Sequence, residues 1–282
     1  PFKNLFTQGM VCHESYKDTK GNWLYPNEIK KINSNSAIKI SDKTKVIIGP
    51  PESMSKSKKN TIDPETMINH FGADAVRWFI LSDSPPEKDV QWSDTGVDSA
   101  NKFLQKIWNL NYSISTRKDV KPDSNVEKES IYQINSLVNK IDDSINNFRF
   151  NVSIACFYQV YKIMKDCIET KISNKVLIEN MIKIMKLMIP FTPHLSNECL
   201  ELFNCKSANK WPVIDKKNIS NKVKLAIQVN GKTRDVIQVD NNMDKEKIDE
   251  IVRQKSKANK YILNVKISRI IFVKNKILNY IV

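Results

Sequence analysis

The stretch from Gly49 to Pro64, GPPESMSKSKKNTIDP, cannot be core. It is polar and basic and holds almost no large apolar side chain. Pro50 and Pro51 lack backbone N–H groups and are expected to stop any regular element before the stretch. Val46-Ile47-Ile48 reads as a short strand leading in. Asp63-Pro64 reads as the cap and first position of a helix leading out. Between them the sequence predicts an exposed, mobile loop with three lysines and small hydroxyl residues. A run such as Lys56-Ser57-Lys58-Lys59 is commonly just a solvated basic loop. The same residue types also suit a polyanion, with lysines as point charges and hydroxyls and backbone N–H groups as directed donors.

The charge of the whole chain points the same way. Over 282 residues the formal net charge is +14. Solubility does not demand so much, and nucleic acid or an anionic membrane surface is the usual partner. Residues 221–282 carry 14 Lys or Arg against 6 Asp or Glu, a net +8 in the last fifth. Such unevenness favours a polyanion-binding end domain. Nucleotide bias in a genome can also enrich a chain in Asn, Ile and Lys.

Membrane and redox readings are less favoured. No run of about 18 uncharged apolar residues exists, so no transmembrane helix is expected. Pro1-Phe2-Lys3-Asn4-Leu5 lacks the apolar centre of a signal peptide. The chain does not begin with Met and reads as the tail of a longer protein or an internal cut. Cys12, Cys156, Cys167, Cys199 and Cys205 form no C-x-x-C pair and are odd in number. Reduced structural thiols in a cytoplasmic protein are the natural reading. His13, His70 and His194 lie far apart, and no metal site is expected.

Length admits two or more domains. Residues 1–48 alternate short apolar runs with turn signals. Phe6–Val11, Trp23–Tyr25, Ala37–Ile40 and Lys45–Ile48 read as four strands. Pro64 to Leu81 has helical spacing interrupted at Gly72, with Asp74 and Arg77 set for an exposed i,i+3 pair. Pro85-Pro86 ends that segment.

From Ser93 to Phe203 the pattern predicts a helical bundle. Ser93 or Asp94 caps a stripe of Val97, Ala100, Leu104, Ile107 and Trp108. Further stripes run over Ile131–Ile145, Val152–Ile168 and Val176–Met188, the last stopped by Pro190. Thr192-Pro193 has the cap-then-proline order that starts a fifth helix. Aromatics and methionines at this spacing are core residues rather than a cofactor box. Residues 205–222 read as a linker. Val223–Val229 alternates at period two, Asn230-Gly231 is a type I′ turn signal, and Thr233–Val239 is the return strand. A helix over Asp244–Ala258 and a strand over Val265–Val273 complete a small α+β domain.

Several of these pieces resemble one family. Met54-Ser55-Lys56-Ser57, followed by Asn60 and Asp63-Pro64, resembles the KMSKS loop of class I aminoacyl-tRNA synthetases. In that family the loop closes over the triphosphate of ATP, and its second lysine stabilises the charge on the departing pyrophosphate. The resemblance gives that catalytic role to Lys56 and ATP binding to Met54, Ser55, Lys56 and Ser57. The family's first lysine is replaced by Ser53. Pro1–Leu5 with Gln8–Val11, and Gly72–Arg77, resemble the flanks of that loop in leucyl-tRNA synthetases.

Pro190-Phe191-Thr192-Pro193-His194 with Glu198 and Leu200 resembles a segment of the anticodon-binding bundle of the leucine, valine, isoleucine and methionine enzymes. There His194 reads as structural. Gln228–Arg234 resembles the Val-Asn-Gly-Lys-x-Arg hairpin of the C-terminal domain in bacterial leucyl-tRNA synthetases.

The resemblance implies a multidomain, mainly α protein. Residues 1–92 are the end of a Rossmann-like α/β catalytic domain, 93–204 an α-helical anticodon-binding bundle, 205–222 the linker and 223–282 a basic α+β tRNA-binding domain. It implies leucine–tRNA ligation through leucyl-adenylate, with ATP, Mg2+, leucine and tRNA(Leu), by a cytoplasmic monomer. Lys232 and Arg234 are the expected tRNA contacts, projected outward by the turn. No His-x-Gly-His turn, editing domain or leucine pocket is legible, so the chain alone is expected to be inactive. The competing reading is a stand-alone RNA-binding module without chemistry. A third takes the lysine-rich loop as a localisation or phosphorylation site.

Overall fold

The computed structural model describes residues 5–214 and 222–282. Two compact units emerge, Pro1–Asn218 and Ile219–Val282. The Pro1–Asn4 part of the family-like flank lies outside the described residues.

The first unit opens with a sheet ordered β2-β1-β5-β4-β3. These are β1 (Val11–Lys17), β2 (Trp23–Leu24), β3 (Ile29–Asn33), β4 (Ser36–Lys39) and β5 (Lys45–Ser53). All pair antiparallel. A sixth strand, β6 (Val90–Gln91), joins β1 in parallel. A small core of Tyr16, Leu24, Ala37 and Val46 fills one side.

Two strand readings need correction. The first strand begins at Val11 instead of ending there. Residues before it are held by a neighbouring loop, with Gly9 N–H donating to the Pro86 carbonyl at 2.8 Å and Met10 N–H to Asp89 Oδ1 at 2.8 Å. Pro50 and Pro51 do not stop β5, which runs through both. β4 pairs only with Lys45 and Val46, so beyond them β5 has β1 as its sole neighbour in the register. A register shift between Glu14 and Tyr16 takes Gly49 and Pro50 out of the regular ladder, while Pro51 stays in register opposite Glu14. Gly49 sits at the same place because an added Cβ would lie 2.5 Å from Ser15 Oγ.

After the loop, Asp63 caps α1 (Pro64–Phe71) by accepting from the N–H groups of Glu65 and Thr66. α2 (Ala73–Ser82) follows a break at Gly72. The bundle then comprises α3 (Asp94–Thr116), α4 (Ser124–Asn146), α5 (Phe150–Ile168), α6 (Asn174–Met188) and α7 (Pro193–Leu202). Apolar positions at three and four spacing bury one face of each helix. Trp78 of α2 is fully buried in this core, against Phe103, Phe157 and Phe191. The helical core therefore starts upstream of residue 93. Trp108 stays 37% exposed, so it stands at the rim of the α3 stripe and not within the core.

Asp74 and Arg77 do not pair. Asp74 is buried and caps α7, its carboxylate accepting from the Leu195 N–H at 2.7 Å and the His194 N–H at 3.4 Å. Arg77 donates to the carbonyls of Pro190 and Phe191, between α6 and α7. Thr192, in the cap position, bonds Met188 O and Ser196 Oγ instead. Asp74→Ala is thus expected to lower unfolding stability by about 1–2 kcal/mol, as for a lost cap. Chemical denaturation checks it, and an unchanged midpoint would remove Asp74 from the cap role.

Residues 205–214, read as linker, dock on the bundle. Lys186 Nζ donates to Ser207 Oγ at 2.9 Å, and Trp211 Nε1 to Asp142 Oδ1 at 2.8 Å. Residues 215–221 lie outside the described residues.

The second unit is a sheet ordered β8-β7-β10-β9 with α8 (Lys245–Lys255). Its strands are β7 (Lys222–Val229), β8 (Lys232–Asp240), β9 (Arg269–Val273) and β10 (Ile277–Ile281). Asn230 and Gly231 have φ of 48° and 76°, the positive pair a type I′ turn requires. The helix expected to reach Ala258 ends at Lys255 and passes into a 3-10 turn over Lys257–Tyr261. β10, which lies beyond the last expected strand, is a central strand with Leu278 and Tyr280 fully buried.

Candidate functional site

The loop after β5 is shaped by its own short polar side chains. The Ser55 N–H donates to Asn60 Oδ1 at 2.8 Å, and Ser55 Oγ accepts from the Lys58 N–H at 3.3 Å. Ser55 and Ser57 hydroxyls lie 3.2 Å apart. Lys59 N–H donates to the Lys56 carbonyl at 3.3 Å, with Lys59 itself at φ 53°. The loop is exposed but carries a definite set of hydrogen bonds.

The three lysines are not equivalent. Lys58 pairs with Glu52, and its ammonium holds the Glu52 carboxyl below the usual carboxylate range. Lys59 Nζ stands 5.1 Å from the centre of the Tyr25 ring. Among the described residues Lys56 has no ion-pair or aromatic partner, and it is exposed. It stands on the rim of a cleft of about 750 Å³ lined also by Tyr25, Asn27, Asp63, Met67 and Asp94. An unpaired ammonium over an open cleft can meet an anion without first breaking another contact.

Ser57 is exposed beside Lys56, while Ser55 is half-buried. Met54 differs from them. Its side chain packs against the helical core, and its N–H donates to Val11 O at 3.3 Å, so it ties the loop to the frame. Ser53 is exposed at the end of β5 opposite Cys12.

His13 lies beneath the loop, and its Nδ1 has no hydrogen-bond partner. Burial pushes this imidazole down, against the pull of Asp94 and Glu14, which favours its neutral form. Burial likewise pushes the Cys167 thiol up to about 11 and Cys199 up to about 12. Neither thiol is a nucleophile at neutral pH.

In the second unit, Lys232 and Arg234 are both exposed on β8. The β7–β8 register pairs Gln228 with Thr233 and Ile227 with Asp235, leaving Arg234 as the extra residue of a bulge. The bulge changes the expected picture of Arg234, whose guanidinium lies 4.3 Å from the centre of the Tyr261 ring. Lys260 Nζ is 5.0 Å from that same ring. Asp235 accepts from Ser256 Oγ at 2.6 Å and from the Lys257 N–H at 2.8 Å, which fixes the turn carrying Tyr261.

Relatives of known name match the chain from end to end. The leucine–tRNA ligase of Zymomonas mobilis is 32% identical over 285 residues, covering 100% of this chain and 33% of the relative. That of Bartonella henselae is 35% identical over 299 residues, covering 100% and 34%. Along its whole length the chain is similar to one part of these leucine–tRNA ligases. It spans about a third of the length of these relatives.

Residues 48–93 match the family described as tRNA synthetases class I (I, L, M and V), and residues 127–249 the anticodon-binding domain of tRNA ligase. The first match contains the whole Lys56 loop. The fold is similar to that of a solved LeuRS–tRNA–LeuAMS complex from Agrobacterium radiobacter K84, at TM-score 0.67 and 23% identity. That likeness covers 100% of this chain and 33% of the other. Two residues in or beside the loop have roles that local sequence does not mark: Asn60, which holds the Ser55 amide, and Glu52, which pairs with Lys58. A buried Asn gives no local signal, whereas Glu52 six residues before Lys58 is a signal for an ion pair.

Proposed function

We propose that this chain is the part of a leucine–tRNA ligase that supplies the ATP-closing loop and tRNA-binding surface. The observation that carries the reading is Lys56, unpartnered over a cleft in a family-type loop. In the proposed reaction the leucine carboxylate attacks the α-phosphorus of ATP. The bond to the β-phosphate oxygen breaks, and pyrophosphate leaves with the electron pair. The Lys56 ammonium stabilises that growing negative charge. The Ser55 and Ser57 hydroxyls and loop N–H groups line the phosphate path, Met54 holds the loop's base, and magnesium arrives on the nucleotide. A hydroxyl of tRNA(Leu) then attacks the carbonyl carbon of the leucyl-adenylate, the leucyl ester forms, and AMP leaves.

Residues 1–92 form the end of the Rossmann-like catalytic domain, 93–204 the anticodon-binding bundle and 223–282 a tRNA-binding domain with Lys232 and Arg234 on phosphates. The enzyme acts as a cytoplasmic monomer. Amino-acid-dependent ATP–pyrophosphate exchange by the protein expressed from its complete gene tests the proposal. Exchange should depend on leucine, and exchange with another amino acid but not leucine would refute it. Ser53→Lys should be tolerated and leave the exchange rate within about threefold, because Ser53 is exposed and its side chain bonds nothing in the loop. A collapse in rate would show that the Ser53 position has no room for a lysine.

A further inference from the structure

We infer that Asn60 is the positioning residue of the loop, the side chain that sets where Lys56 stands. The inference rests on the catalytic reading of Lys56, and its test is arranged to separate the two. Asn60 is fully buried, although it follows three lysines in a polar run. Its Nδ2 reaches three carbonyl oxygens, those of His13 at 3.2 Å, Glu52 at 3.3 Å and Ser53 at 3.4 Å. Its Oδ1 accepts the Ser55 N–H at 2.8 Å. An amide has two N–H donors, which the three carbonyls share, and an acceptor oxygen that takes the Ser55 N–H, so both ends of this side chain are engaged.

The arrangement is directional. His13 belongs to β1, and Glu52 and Ser53 to the end of β5. One side chain therefore ties the returning arm of the loop to both strands of its frame. It also grips the amide of Ser55, immediately before Lys56. Lys58 also reaches Glu52 of β5, and the Met54 N–H reaches Val11 of β1, but neither of these contacts holds the Ser55 amide. A bland alternative is an asparagine that merely satisfies buried carbonyls. It would stabilise the fold with no special link to Lys56. A point charge, however, acts on a transition state only from a defined place, and a misplacement of about 1 Å costs up to about 100-fold.

A double-mutant cycle on the complete protein distinguishes these readings. Asn60→Ala should slow leucine-dependent pyrophosphate exchange by about 10- to 100-fold in kcat, with the KM for leucine unchanged. Combined with Lys56→Ala it should add almost nothing to the loss from Lys56→Ala alone, because coupled sites are not additive. Losses that multiply would overturn the inference.

Amide hydrogen exchange on the present chain gives a second arm that needs no activity. In Asn60→Ala the Ser55 amide should exchange at least about tenfold faster while β1 and β5 keep their protection. Unchanged protection at Ser55 would overturn the inference. Asn60→Asp keeps the acceptor and loses both N–H donors, and it serves in both arms if the alanine variant does not fold. It should speed exchange at Ser55 less than alanine does. A wild-type protein that exchanges no pyrophosphate with leucine would count against the ligase reading, and the Ser55 amide would still decide the role of Asn60.

Discussion

Lys56→Ala should lower leucine-dependent pyrophosphate exchange by about 10²–10³-fold, the scale for losing one stabilising donor to a developing charge. The structure supports so large an effect because no neighbour can substitute. Lys58 is engaged by Glu52, and Lys59 lies over Tyr25. Either could move only by giving up that contact. Lys56 is exposed and no part of a core. The variant should therefore fold as the wild type does, and thermal unfolding run alongside would show it. Leucine binding should barely change, so the loss should fall on kcat. A loss of less than about threefold, within the range of surface substitutions, would remove Lys56 from the mechanism.

Removal of residues 219–282 should weaken tRNA binding and flatten its salt dependence by several units of log–log slope. Each phosphate contact releases counterions and contributes about −0.7 to −0.9 to that slope. The second unit has its own core, built on Leu225, Ile227, Val252, Leu278 and Tyr280, so the cut leaves a separately packed first unit. Five lost contacts would reduce affinity by about 10²-fold less at high salt than at low, for a fourfold span of salt. Lys232→Ala with Arg234→Ala should flatten the slope by about one to two. Leucine-dependent pyrophosphate exchange should survive the deletion. Titrations across a salt series test the idea, and identical slopes for whole and shortened protein would refute it.

Features whose causes lie within a few residues are legible in the chain before it folds. Asp63-Pro64 reads as a helix start because a carboxylate two or three residues upstream can reach the first free N–H groups, and it does so. Asn230-Gly231 reads as a hairpin turn because both residues tolerate positive φ. The α3–α7 bundle was legible because a buried helical face repeats every three or four residues. The loop that holds Lys56 and Ser57 was legible because a polar, basic run stays in solvent.

What the sequence could not show depends on partners far along the chain. Asn60 looks like one more polar loop residue until the His13 carbonyl, 47 positions away, is placed beside it. Asp74 looks like half of a surface pair until α7, some 120 positions on, presents its open N–H groups. Pro50 and Pro51 break a strand only where both edges need donors, and the sheet order decides that. The same holds for the lysines. Three cations in one short run are alike to any local rule. Only the tertiary structure, by bringing Glu52 to one and Tyr25 to another, leaves Lys56 free for an anion.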